Sequence, residues 1–245
     1  MPLVCFQHFT GTLDNWDPLV IDGLAAGREV ITVDNAGIGN SGGETPDNVK
    51  DMAAIDAGIV KALGIAQCDV LGFSLGGFIA QTIAVTDPAL FRKIILVGTA
   101  PQGTLALHSF PDLTGRAFKL EPAEGYLYLF ATPSQESRDK IKASQSRQAA
   151  RKQDKDKPVG LPAIQQQIKA LTRWGTDPVT LDLSSVSQQV LIIQGSDDEM
   201  MNSASSFTLF KQLPHAVLTF YPDSAHGSFY QYPELFLEQA RYFLA

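Results

Sequence analysis

The chain has 245 residues, which suits one α/β domain with a substantial core. A composition of 44% hydrophobic and 18% charged residues, with a net charge of −7 and no basic face, argues for a globular protein and against a nucleic-acid partner. The two cysteines, Cys5 and Cys68, lie in apolar runs and exclude a disulfide framework; with neither a secretory signal nor a bilayer-length apolar run in view, a cytoplasmic protein with no membrane partner is expected.

Taken in chain order, strand-like and helix-like segments alternate. Leu3–Phe9 is an apolar strand-like run that ends in the polar turn Gln7–Gly11, and a helix is expected over Asp17–Ala26. The pairs Glu29–Asp34 with Pro46–Leu63, and Asp69–Phe73 with Leu75–Val85, repeat the pattern, followed by the strand-like Lys93–Gly98. The rhythm breaks between Ala100 and Pro178, where the Lys/Arg/Gln/Ser-rich Ser134–Lys155 and the amphipathic Leu161–Trp174 predict helices and no strand. It resumes with Val190–Gln194, a helix over Ala204–Leu213, the strand-like Ala216–Tyr221 and a final helix over Glu234–Leu244. Near-continuous Val/Ile/Leu runs alternating with helices predict a doubly wound, mostly parallel sheet covered on both faces. The expected organisation is a core of residues 1–100 and 179–245, with a helical lid of residues 101–178 over one end of the sheet.

The densest chemical signal is Gly72-Phe73-Ser74-Leu75-Gly76, placed between a strand-like run and a helix-like one. Glycines flanking a serine at this spacing allow a sharp strand-to-helix turn that lifts the hydroxyl, with the Leu75 amide free for a developing oxyanion. Ser74 is therefore a candidate nucleophile, and a serine hydroxyl needs a base. Of four histidines, only His226 lies in a loop just past a strand-like run and ahead of a helix, where a parallel sheet gathers its active-site residues. His108 falls in the inserted region, and His215 precedes a strand at the other end of the sheet. The orienting acid belongs after Val190–Gln194, where Gly195-Ser196-Asp197-Asp198-Glu199 points to Asp198, with Asp197 as the fallback. For the second oxyanion donor the turn after the first strand offers the Thr10 amide, with Phe9 the near alternative. His8 reads as a structural histidine.

The order serine, acid, histidine resembles that of the α/β-hydrolase fold family. So do the His8-Phe9-Thr10 turn, the loop Asp34-Asn35-Ala36-Gly37-Ile38-Gly39-Asn40-Ser41, the elbow at Ser74, Gly195–Asp198 and Asp223–His226. The resemblance covers nearly the whole chain. It departs where Phe9 replaces the usual glycine after His8, and where the chain begins at what would be the family's third strand, so that the usual amino-terminal antiparallel hairpin is expected to be absent. A serine at the elbow implies an esterase, lactonase, carbon–carbon bond hydrolase or cofactor-free haloperoxidase-like (perhydrolase-like) member. The aspartate-nucleophile chemistries of the family are ruled out by Ser74.

The expected function is a serine hydrolase that cleaves small carboxylic esters through an acyl-enzyme, with no cofactor and no metal. Ser74, His226 and Asp198 would form the triad, the Leu75 and Thr10 amides the oxyanion hole, and Phe9, Phe73, Phe130 and Trp174 an apolar substrate pocket. Two alternatives stand beside it: lactone opening or perhydrolysis by the same triad, and a non-catalytic ligand-binding protein on the same fold.

Overall fold

A computed structural model describes residues 1–245. Its centre is a six-stranded sheet built from β1 (Leu3–Phe6), β2 (Val30–Val33), β3 (Cys68–Phe73), β4 (Phe91–Val97), β5 (Gln189–Gly195) and β6 (Ala216–Tyr221). The order across the sheet is β2-β1-β3-β4-β5-β6, and every pairing is parallel. The helices are α1 (Pro18–Ala25), α2 (Val49–Ala62), α3 (Leu75–Thr86), α4 (Phe110–Ala117), α5 (Pro122–Phe130), α6 (Gln135–Gln148), α7 (Leu161–Thr176), α8 (Ser203–Gln212), α9 (Ser228–Gln231) and α10 (Pro233–Leu244).

The strands are apolar along their whole length because both faces are covered. Alternate side chains divide between two clusters. Val4, Phe6, Val70, Ile94, Leu96 and Ile192 pack with residues of α2, α3, α7 and α8. Leu3, Cys5, Leu71, Ile95, Val97 and Ile193 pack on the other face with residues of α1, α9 and α10. Between β4 and β5 the chain forms α4 to α7 and no strand.

Most differences from the expected boundaries have local causes. The first strand stops at Phe6 rather than Phe9, because Gln7 onward leaves the sheet to form the turn at the edge. The second helix begins at Val49 rather than Pro46, because Asn48 caps it by accepting a hydrogen bond from the Asp51 amide. Within the Lys/Arg/Gln/Ser-rich stretch, α6 is capped by Ser134 and then runs for 14 residues.

Two polar features fasten the sheet. Asp69, fully buried at the amino end of β3, accepts from Arg28 at 2.8 Å and from Arg92 at 2.8 Å. Both guanidinium groups also donate to the Leu244 carbonyl, which ties the carboxyl end of α10 to the strands. At the opposite edge, the Asp34 carboxylate accepts from the Leu13 amide at 2.8 Å and the Ser41 hydroxyl donates to the Asp34 carbonyl at 2.9 Å, so that the glycine-rich loop holds the segment after β1.

Asp56 of α2 is 1% exposed, and its Oδ2 has no hydrogen-bond partner. Burial raises its pKa from 3.8 to about 7. The native state therefore holds this proton through a pH range in which the unfolded chain has lost it, so stability falls as pH rises from about 4 to about 7 and levels off above. Asp34, raised to about 6 by burial and by Asp156, acts in the same direction. The wild type should lose about 2–3 kcal/mol between pH 5 and pH 8 through Asp56. Urea denaturation of Asp56→Asn should show a clearly shallower loss over that interval; an unchanged slope would refute the assignment.

Candidate active site

A doubly wound sheet opens a crevice where successive connections leave in opposite directions, and here that point is β1, flanked by β2 and β3. The carboxyl ends of β1 and β3 deliver the His8–Gly11 turn and Ser74 to it. Asp198 and His226 follow β5 and β6 on the same edge.

Ser74 is where the strand becomes a helix, with φ 56 and ψ −115. A side-chain-bearing residue at positive φ carries a cost of about 1–3 kcal/mol that the surroundings must offset. The Ser74 amide donates to the Val97 carbonyl at 2.9 Å, and the Ser74 carbonyl accepts from the Thr99 hydroxyl at 3.0 Å and the Gly77 amide at 2.8 Å. The flanking glycines are required by close approach. A Cβ at Gly72 would lie 2.5 Å from the Gly76 carbonyl oxygen, and one at Gly76 would overlap the Phe6 carbonyl of β1. Leu75 opens α3, so its amide is one of the helix's first, unpaired donors.

Asp198 and His226 are both buried and hydrogen-bonded, Oδ2 to Nδ1, at 2.8 Å. The same carboxylate accepts from the Met200 and Met201 amides, each at 2.9 Å, and from Gln194 Nε2 at 3.0 Å. Gln194 is oriented in turn by the Ser206 hydroxyl, which donates to its Oε1 at 2.9 Å. An acceptor facing Nδ1 places the proton there and leaves Nε2 as a bare acceptor. The imidazole packs against Phe73, at 5.0 Å between ring centroids, and against Phe130, at 5.4 Å.

Ser74 and His226 both lie against the turn after β4. Val97 accepts from the Ser74 backbone, while a Cβ at the next residue, Gly98 (φ 51), would lie 3.2 Å from His226 Nδ1. Ser74 Oγ and His226 Nε2 are both buried and have no hydrogen-bond partner, so they are not bonded to each other in this structure. Asp197 and Glu199 are exposed, whereas Asp198 is 3% exposed. His215 lies exposed at the amino end of β6, and His108 faces the Gly175 carbonyl at 3.3 Å.

The turn after β1 differs from expectation. The Thr10 amide is not available, because it donates to Gln167 Oε1 of α7 at 2.7 Å. The Phe9 amide makes no hydrogen bond to the chain. His8 Nδ1 donates to the Phe9 carbonyl at 2.7 Å, and burial lowers the pKa of His8 to about 3, so this ring stays neutral.

The expected pocket residues divide in two. Phe9 and Phe130 line an apolar cavity of about 280 Å³ with His8, Phe118, Tyr126 and Met200. Phe73 is fully buried beneath the imidazole and does not line it. Trp174 lies elsewhere, stacked on Phe78 at 4.7 Å and donating to the Ala100 carbonyl at 3.1 Å; its amphipathic helix packs on the α2–α3 face.

Three residues escaped the reading of motifs. Gln194 is the polar end of an apolar strand and carries no signal of its own. Gly98 is visible only as a strand-end glycine. Gln167 had a signal, since it falls on the same helical stripe as Ile164, Ile168, Leu171 and Trp174 and is a buried polar residue there.

Comparison with known proteins agrees with this architecture. The family model for the alpha/beta hydrolase fold matches residues 2–233. A solved α/β-hydrolase fold protein from Chitinophaga pinensis superposes with a TM-score of 0.98 at 53% identity, over 100% of this chain and 89% of that one. The 2-hydroxymuconate semialdehyde hydrolase of Pseudomonas putida is 27% identical, over 89% of this chain and 77% of its own. A Mycobacterium tuberculosis protein named as the non-heme bromoperoxidase BpoC is 26% identical, over 95% and 89%. The chain belongs to the α/β-hydrolase fold family.

Proposed function

We propose that this protein is a serine hydrolase of small carboxylic esters that works through an acyl-enzyme. The observation that carries the proposal is the pair of unpartnered atoms at the crevice: a hydroxyl on a strained strand-to-helix turn, and the bare Nε2 of an imidazole whose other nitrogen is held by a buried carboxylate.

In this reading Ser74 Oγ attacks the ester carbonyl as His226 Nε2 takes its proton. The alcohol then leaves with that proton, and a water activated by the same nitrogen releases the acid. Asp198 keeps the imidazole in the Nδ1–H tautomer and stabilises the imidazolium; its four hydrogen bonds preserve its orientation throughout. The oxyanion is received by the Leu75 amide at the start of α3 and by the Phe9 amide. Phe9 takes the place first expected of Thr10, whose own amide is already engaged. Each such donor contributes about 3–4 kcal/mol in serine hydrolases of this kind. A cavity of about 280 Å³ lies near the lower end of small-ligand sites and favours a short acyl or aryl group. The helices between β4 and β5 supply Phe118, Tyr126 and Phe130 to its wall, as a lid would.

A second reading draws on the similarity to BpoC. Here hydrogen peroxide replaces water in attacking the acyl-enzyme, so that a peracid leaves instead of an acid. Peroxide-dependent bromination of monochlorodimedone in acetate buffer, lost in Ser74→Ala, would favour it over simple hydrolysis.

Ser74→Ala should abolish turnover of p-nitrophenyl butyrate and labelling by a fluorophosphonate while the circular dichroism spectrum is unchanged; residual turnover would refute Ser74 as nucleophile. Failure of the wild type to label would favour a ligand-binding role instead. Asp198→Asn should lower kcat by roughly 10³–10⁴-fold, because the amide favours the wrong tautomer. It should also remove the low-field proton resonance of His226 Nδ1–H. A variant that keeps near-wild-type kcat would remove Asp198 from the triad.

A further inference from the structure

We propose that Gln167, carried by α7, is a positioning residue that holds the His8–Gly11 turn in its flipped state, so that the oxyanion-binding turn is set only while α7 is seated on it. The proposal builds on the reading of Phe9 as an oxyanion donor.

The Gly11 amide donates to the His8 carbonyl at 3.0 Å and closes a four-residue turn. Thr10, at its third position, has φ 58, whereas Phe9 at the second has negative φ. That combination is a type II turn, whose third position belongs to glycine or asparagine. Threonine is β-branched and is an outlier there. Left to itself the segment would relax toward type I, with the peptide between Phe9 and Thr10 turned over by about half a rotation.

That peptide is gripped at both ends. His8 Nδ1 donates to its carbonyl at 2.7 Å, and its N–H donates to Gln167 Oε1 at 2.7 Å. The first grip is local; the second comes from 157 residues away. Turning the peptide over would set the Phe9 carbonyl against Gln167 Oε1, two acceptors face to face, and would leave His8 Nδ1–H without its partner, so that the residue sharing a peptide with the Phe9 amide loses its anchor. Without the glutamine, the clash disappears and so does one of the two bonds.

Gln167 itself is fully buried, and its Nε2 has no partner. A residue serving only to fill the α7 stripe would be aliphatic, like Ile164 and Ile168, and would leave no donor unsatisfied. Gln167 is thus a polar side chain buried at a cost, and its one hydrogen bond is to the backbone of the turn.

The test uses the full chain. Gln167→Met preserves length and removes the acceptor; Gln167→Asn is the second loss variant if packing of the first is poor. Either should lower kcat on p-nitrophenyl butyrate about 10- to 100-fold, with KM changed less than about threefold. The Thr10 amide should exchange with deuterium at least about tenfold faster. Gln167→Glu keeps an acceptor at the same reach and should keep that exchange slow. Adding Thr10→Gly to Gln167→Met should restore most of kcat, because glycine adopts positive φ unaided. Unchanged exchange in both loss variants, a loss residing in KM, or failure of glycine to rescue would overturn the proposal. Exchange at Thr10 does not depend on ester turnover, so a wrong assignment of substrate and a wrong assignment of Gln167 give different results.

Discussion

The tight turn at Ser74 is the constraint on which the rest of the carboxyl edge depends. A positive-φ serine persists there because its amide and carbonyl are bonded to β4 and the residues just after it, and because Gly72 and Gly76 let α3 press against both its own strand and β1. The same contacts bring the start of α3, the end of β1 and the turn after β4 into one small volume. Strain in the backbone is thus exchanged for convergence: three segments meet at a hydroxyl that none of them could place alone.

Around that hydroxyl the polar groups are arranged unequally. Asp198 is bonded by two amides, a glutamine and an imidazole, while Ser74 Oγ and His226 Nε2 are left bare. Buried polar groups ordinarily find partners, and each exception calls for a physical reason. The contrast between a saturated acid and an unsaturated hydroxyl–imidazole pair suits a site in which one group must stay still and two must exchange a proton. Phe73 and Phe130, which also pack edge-on against each other, limit the motion of the imidazole by packing.

The helices between β4 and β5 reach this site in two ways. Their aromatic side chains wall the apolar cavity, and Gln167 bonds to the backbone of the turn after β1. Because the second contact is to backbone, a shift of α7 would be felt in the turn's geometry.

The alternation of strands and helices, the elbow at Ser74 and the loops bearing Asp198 and His226 were all legible in the residues. Each is a local property: apolar runs have a period, and glycines beside a serine or at a strand end mark a turn. Asp198 could be favoured over Asp197 by spacing, but burial and four hydrogen bonds are what separate them. Three matters were decided only by tertiary structure. Which amide of the His8–Gly11 turn is free depends on Gln167, 157 residues away. Which aromatics wall the cavity depends on the direction each ring takes from its element, and this removed Phe73 and Trp174 from the wall. The polar residues that orient the site, Gln194 and Gln167, act through contacts between separate elements. Patterns along a chain report which face of an element is buried, and contacts between distant segments report what it is buried against; the chemistry of this site depends on both.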